Sequence, residues 1–182
     1  IYINKLDEKK ILDKYSIEKK KYIICVGAIK EDKNTDILLE TFLTYLIKKM
    51  DNYFLLLVGP LKTNSKRVIK MLNHEKVIFF DTLNNDEILI LINNCSLSIN
   101  PSVNEGMPRS CLEAIELNVP VLLPPNIPEF NSFSYENVIK SLTQKDLALQ
   151  IRKNEKLKIK SNYPIKKHYP ENIIRKYLKI LR

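Results

Sequence analysis

The residues best placed to do chemistry are two glutamates eight positions apart, Glu105 and Glu113. They lie in the stretch Asn100-Pro-Ser-Val-Asn-Glu-Gly-Met-Pro-Arg-Ser-Cys-Leu-Glu113-Ala-Ile. A short apolar strand signal, Leu97-Ser-Ile-Asn, precedes it, and the chain then turns through Pro101 and Gly106 into a helical run from Pro108 to Leu117. A helix N-terminus carries unpaired N–H groups and partial positive charge, so it suits an anion. Pro108 fits the first turn, where a missing N–H costs nothing. An anion docked there would have an acceptor-rich carboxylate on either side. Eight residues at helical rise span at most about 12 Å, roughly the length of a sugar–diphosphate–ribose unit, whose ends carry hydroxyls and whose middle carries charge. A lone Glu in a turn or on a helix is usually just solvated. The spacing with Gly106, Pro108 and the preceding strand argues for a site.

The elements that must hold this stretch can be traced along the chain. Residues 1–20 read as a linker with a short helix around Glu8 to Tyr15. Tyr22-Ile-Ile-Cys-Val-Gly27 and Tyr53-Phe-Leu-Leu-Leu-Val-Gly59 are continuous apolar runs ending in Gly, the pattern of buried parallel strands. Val77–Phe80, Ser96–Asn100 and Val119–Leu123 follow as strands, with Val138-Ile139 as a candidate sixth. Helical spacing runs over Thr35–Met50, Lys66–Leu72, Asp86–Ile92 (capped by Asn84 or Asn85), Pro108–Leu117, Lys145–Arg152 and Glu171–Leu181. Strands alternating with helices imply α/β architecture, a doubly wound, Rossmann-like parallel sheet covered on both faces. The expected organisation is a linker over 1–20, a domain over 21–161 and a C-terminal helix over 162–182.

In a sheet of strand order 3-2-1-4-5-6, the first and fourth strands are neighbours whose connections leave in opposite directions, and the crevice between them holds the ligand. The loop after the first strand, Val26-Gly27-Ala28-Ile29-Lys30-Glu31-Asp32-Lys33-Asn34, should therefore face the loop carrying Glu105 and Gly106. It brings Lys30 and Lys33 toward the helix N-terminus, although its mixed charges alone would suit a solvated loop. The chain has only three glycines, Gly27, Gly59 and Gly106, so glycine is reserved for places where backbone turns tightly or approaches something closely.

Composition narrows the options. With 182 residues, 45% hydrophobic and 28% charged, the chain can build one real core. Its apolar runs are too short to span a bilayer. It opens without an initiating Met and without a basic-then-apolar leader, which suggests a piece of something longer. Cys25, Cys95 and Cys111 sit in apolar runs with no metal spacing and read as reduced core residues of a cytoplasmic protein. His74 and His168 have no partner pattern, so no metal site is expected. The net charge of +9 is densest after Lys153. It permits attraction to an anionic substrate or a membrane surface, but lacks the aromatic interleaving of a single-strand nucleic-acid binder.

The 101–114 block resembles the E-x7-E signature of the retaining glycosyltransferases of GT-B fold, family 4, the "group 1" transferases. Their motif P-S-x-x-E-G-x-P/G-x-x-x-L-E-A is matched by Pro101, Ser102, Glu105, Gly106, Pro108, Leu112, Glu113 and Ala114. The family's first loop, V-G-R-x-x-x-x-K-G, is matched at Gly27 and Lys33, but Ala28 stands at its Arg and Asn34 at its second Gly. Leu56-Leu-Val-Gly-Pro, Val77-Ile-Phe-Phe-Asp81, Leu117-Asn-Val-Pro-Val121 and Ile127-Pro-Glu129 resemble later family blocks, with Asp81 and Asn118 in place of glycines. The resemblance implies the donor-binding half of a GT-B enzyme that moves a sugar from a nucleoside-diphosphate sugar with retention and without a metal. It implies Glu105 at the sugar, Glu113 on the ribose hydroxyls, and Gly27, Lys33, Gly106, Pro108 and the N–H groups of Met107, Arg109, Ser110, Cys111 and Leu112 around the diphosphate. Arg109 could supply the charge that Ala28 lacks, or be a surface residue. The acceptor domain would be a separate N-terminal half. The rival readings are a nucleotide-binding module without transfer activity and, on charge alone, a basic structural or nucleic-acid-binding domain.

Overall fold

The structure, a computed structural model, describes residues 5–133 and 135–172. Five strands form one wholly parallel sheet of order β3-β2-β1-β4-β5. They are β1 (Tyr22–Val26), β2 (Phe54–Val58), β3 (Val77–Phe80), β4 (Leu97–Ile99) and β5 (Val121–Leu122). β1 is central, paired with β2 from Tyr22↔Phe54 to Val26↔Val58 and with β4 at Ile23↔Leu97 and Ile24↔Ser98.

Seven α-helices complete the described chain: α1 (Lys5–Lys14), α2 (Thr35–Thr41), α3 (Lys66–Leu72), α4 (Asn85–Asn94), α5 (Arg109–Glu116), α6 (Pro128–Phe133) and α7 (Gln144–Leu157). The apolar runs of the strands hide a two-residue alternation, because successive side chains leave opposite faces. Ile23, Cys25, Leu55, Leu57, Leu97 and Leu122 enter one core with Leu38 and Leu39 of α2, Val68 of α3 and Leu147 and Ile151 of α7. Tyr22, Ile24, Leu56, Val58 and Val121 enter the other, with Leu12 of α1, Leu91 of α4 and Ala114 of α5. Helices on both faces make the sheet doubly wound, as the sequence pattern implies.

Several expectations are modified. The long helix expected over Thr35–Met50 gives way after Thr41 to a π-helical turn, Phe42–Leu46, because Ile47 N–H bonds to the Phe42 carbonyl (2.9 Å). Val138 makes only an isolated parallel bridge with Leu123, so no sixth strand extends the described sheet. Helix α6 has no counterpart in the sequence reading. Of the helix expected over Glu171–Leu181, everything beyond residue 172 lies outside the described residues. Helix α1 is present and packs on α4, where Glu87 accepts from Lys14 Nζ (2.7 Å) and Tyr15 Oη (2.8 Å). That pairing holds the Glu87 carboxyl below its ordinary range and raises Lys14 to about 12.

Gly59 shows why glycine is needed after β2. Its φ is +144°, and a Cβ there would lie 2.3 Å from the Gly27 carbonyl oxygen. The ends of β1 and β2 thus pack backbone on backbone.

Candidate functional site

β1 and β4 are neighbours, so the loops leaving their C-terminal ends meet. The β4–α5 loop is shaped by its own side chains. Asn100 Oδ1 accepts from Ser102 N (3.0 Å), and Ser102 Oγ accepts from Asn104 N (3.3 Å). Such side-chain-to-backbone bonds fix turns that the backbone alone would leave open. The β1–α2 loop crosses to it at two points. Lys33 Nζ reaches Glu105 Oε1 (2.7 Å) and the Asn104 carbonyl (3.2 Å), and Asn34 Nδ2 donates to the Pro101 carbonyl (2.9 Å). The two sequence-distant stretches therefore converge. Lys30 does not join them, because it pairs with Asp32 (2.8 Å) within its own loop.

Helix α5 starts at Arg109, with Pro108 as its extended N-cap, and Ser110 Oγ donates to the Val26 carbonyl at the end of β1 (3.4 Å). Cys111 N–H and Leu112 N–H already donate to the Pro108 carbonyl (3.1 and 3.3 Å). The donor set expected over Met107–Leu112 is thereby narrowed to Met107, Arg109 and Ser110, whose N–H groups have no partner among the described residues. Cys111 is buried, and burial pushes its thiol well up, which leaves it an inert core residue rather than a nucleophile.

A cleft of about 280 Å³ opens over this point, lined by Val26, Asn85, Ile88, Asn100, Glu105, Pro108, Arg109, Ser110 and Glu113. Both signature glutamates line it. Glu105 is mostly shielded and ion-paired to an equally shielded Lys33. Glu113 is half-buried, and desolvation raises its pKa against the opposing pull of Arg109. Arg109 is 75% exposed and held at both ends of its guanidinium, by Glu113 Oε1 (2.8 Å) and Asn85 Oδ1 (2.9 Å). It is therefore an exposed residue tethered on the rim of the cleft. Gly27, Lys33, Gly106 and Met107 do not line the cleft itself. Gly27 and Gly106 have open space where a Cβ would stand.

The sequence reading took Asn85 only as a cap and gave Asn100 no role. Asn84 is the actual cap, closing a capping box with Glu87, which leaves Asn85 on the rim. The topology carried the missing signal: α4 follows β3 and α5 follows β4, so in this parallel sheet both helices start at the carboxyl ends of the strands. Among the described residues no cluster of three or more His, Cys, Asp or Glu is arranged to hold a metal, and no helix is long and apolar enough to cross a membrane.

A doubly wound parallel sheet with a helix N-terminus and two carboxylates over its β1/β4 crevice defines a Rossmann-like domain. The chain belongs to the glycosyl transferases group 1 family, whose profile matches residues 7–169. No curated protein matches it. Among solved structures it is similar to the C-terminal domain of the group 1 glycosyl transferase LpcC from Francisella tularensis (16% identity, TM-score 0.68, covering 90% of this chain and 92% of that one). It is also similar to WaaG, a glycosyltransferase involved in lipopolysaccharide biosynthesis (22% identity, TM-score 0.65), and to a glycosyltransferase from Rickettsia africae ESF-5 (16%, TM-score 0.73). It covers 82% and 98% of itself in those two comparisons, but only 42% of WaaG and 52% of the Rickettsia protein.

Proposed function

We propose that this domain is the donor-binding half of a retaining glycosyltransferase that uses a nucleoside-diphosphate sugar. The observation that carries the reading is one cleft lined by Glu105, Glu113, Arg109 and Ser110, with Lys33 tied to Glu105 beside it and the N–H groups of Met107, Arg109 and Ser110 left unpaired at the start of α5. Opposite roles follow from opposite surroundings. The cationic end takes the diphosphate, with Lys33 and the helix N-terminus sharing its charge, so no metal is required. Glu113, shielded and acceptor-rich, takes the ribose hydroxyls. Glu105, fixed by Lys33, faces the sugar and contacts one of its hydroxyls. The acceptor is supplied by a separate N-terminal half, which closes over the crevice and excludes water. All three cysteines are free and buried, which fits a reducing cytoplasm. A place in polysaccharide or glycoconjugate assembly accords with the role printed for WaaG.

Calorimetric titration tests this. Glu113→Ala should weaken nucleoside-diphosphate binding by roughly 1.5–3 kcal/mol, the range for hydrogen bonds to a charged group. A 2′,3′-dideoxy nucleotide should bind wild type and variant alike. Lys33→Ala should weaken diphosphates but leave nucleosides unchanged. A Glu113→Ala protein that still discriminates against the dideoxy ligand would remove the ribose assignment, and binding that disappears with a chelator and returns with Mg²⁺ would remove the metal-free one. Retention itself is read from the anomer formed when both halves act together.

Ala28, standing where the family places a phosphate-binding Arg, favours a second reading, a nucleotide-binding module without transfer activity. Sugar transfer by the protein joined to its acceptor half excludes it.

A further inference from the structure

Two hollows on α7 are each larger than the cleft at the donor crevice. One of about 360 Å³ is lined by Lys49, Met50, Leu149, Arg152, Lys153, Glu155 and Lys156. A second, of about 400 Å³, shares Leu149 and Lys153 with it. Helix α7 buries Leu147, Ala148, Ile151 and Asn154 against the sheet. The opposite arc presents Leu149, Arg152, Lys153, Lys156 and Leu157, all exposed and grouped on one side at roughly 100° per residue.

Two features of this arc are unusual for a solvated face. Leu149 and Leu157 are 56% and 59% exposed, more than any other large hydrophobic residue described. The four cations Lys49, Arg152, Lys153 and Lys156 form no ion pair among the described residues. Of the carboxylates lining the two hollows, Glu155 accepts from Tyr53 Oη (2.7 Å) and pairs with Lys158, Asp146 accepts from Thr143 Oγ1, and Glu136, on the rim of the second hollow, pairs with none of these four cations among the described residues. Unneutralised cations beside projecting leucines complement a surface that is anionic outside and apolar beneath.

We propose that this face of α7 docks on an anionic phospholipid bilayer, with a headgroup phosphate in the hollow framed by Lys49, Arg152, Lys153 and Lys156 and with Leu149 and Leu157 entering the interface. Interfacial binding of this kind combines buried apolar area with attraction to anionic lipid. Nucleic acid would use the charge but not the leucines, and no exposed ring alternates with these cations on α7 for bases to stack on. Lys48, also exposed, extends the positive field from the turn after the π-helical segment. The proposal is independent of the donor site, since α7 packs on the face of the sheet opposite α5.

The test is flotation of the 182-residue chain with vesicles of phosphatidylcholine, with and without phosphatidylglycerol. The chain should float with the anionic vesicles only, and added salt should release it. Arg152→Glu, Lys153→Glu and Lys156→Glu together should reduce binding about a hundredfold or more, from the per-residue attraction of cations to such membranes. Leu149→Ser with Leu157→Ser, both at exposed positions, should reduce it severalfold while leaving the melting temperature unchanged. The proposal is overturned if wild type ignores anionic vesicles. It is equally overturned if the leucine variant binds like wild type and a DNA oligonucleotide displaces both, since the face would then be a general polyanion site.

Discussion

The β4–α5 loop carries its own side-chain-to-backbone bonds, through Asn100 and Ser102, beside those it accepts from Lys33, Asn34 and Asn126, whereas the β1–α2 loop, beyond its short internal turn, is braced by the segment after β2. Ile29 N–H donates to the Pro60 carbonyl and Lys62 N–H donates back to the Ile29 carbonyl (both 2.9 Å), while Asp81 Oδ1 accepts from Leu61 N–H (3.0 Å) just beneath. Lys33 and Asn34 reach across to the opposite loop. The β4–α5 loop is also the one that matches the family motif closely, and the β1–α2 loop is where the sequence departs from it. A loop braced from outside tolerates substitution as long as backbone geometry survives. Asn34 shows this: it sits at φ 52°, in the left-handed region, and Asn is among the few residues other than Gly that visit it readily. Asn118, at φ 57°, repeats the substitution after α5. Ala28 differs, because there the departure removes a charge rather than altering the backbone.

The largest expected effect comes from breaking the outside brace. Gly59→Ala puts a Cβ against the Gly27 carbonyl at a positive φ, and no flexible side chain is available to yield. Backbone strain and overpacking together should cost about 3 kcal/mol or more, measured as a lower denaturant midpoint at unchanged slope. If the variant is as stable as wild type, the β1–α2 loop does not depend on its neighbour and the contrast between the loops fails.

Restoring the lost charge is a gentler probe. Ala28→Arg should tighten nucleoside-diphosphate binding by about 1–2 kcal/mol, near tenfold, through a charge-assisted phosphate contact. A nucleoside without phosphates should show no gain. Arg109 is committed to Glu113 and Asn85, so it leaves room for the new cation, and Arg109→Ala should not abolish the gain. Titration of both variants decides this. If Ala28→Arg leaves diphosphate affinity unchanged, the phosphate does not bind beside the β1–α2 loop.

Much of this frame was legible because burial writes itself into sequence. β1 and β2 announce themselves as apolar runs stopped by Gly27 and Gly59, and α3 and β3 fall on the residues expected. The convergence of Lys33 with Glu105 follows from strand order alone. Other features depend on tertiary contacts that leave no periodic trace. Helix α6 is six residues long and, among the residues whose burial is described, buries only Phe130 fully, too short for a helical pattern. The π-helical turn after α2 keeps the same apolar spacing as an ordinary helix, so spacing cannot reveal it. Asn85 enters the cleft only because Asn84 takes the cap, a choice between adjacent asparagines that composition does not make. Arg109 and Glu113 are four apart on one helix, a pairing the sequence did offer.

The smallest effect separates backbone from side chain at the two asparagines. Replacing Asn118 with Gly removes a non-glycine residue from the left-handed region, where its side chain makes no hydrogen bond among the described residues. Relief of that strain should stabilise the protein by some tenths of a kcal/mol, up to about 1 kcal/mol. Asn34→Gly relieves the same strain but also deletes the bond from Nδ2 to the Pro101 carbonyl. A partly buried neutral hydrogen bond contributes about 1 kcal/mol net, so the two terms should nearly cancel. The difference between the two variants therefore isolates the bond that ties one loop to the other. Urea unfolding of both, at a pH where no carboxylate titrates, gives that difference directly. A difference near zero would mean that Asn34 serves only its backbone, and that Lys33 alone joins the β1–α2 loop to the β4–α5 loop.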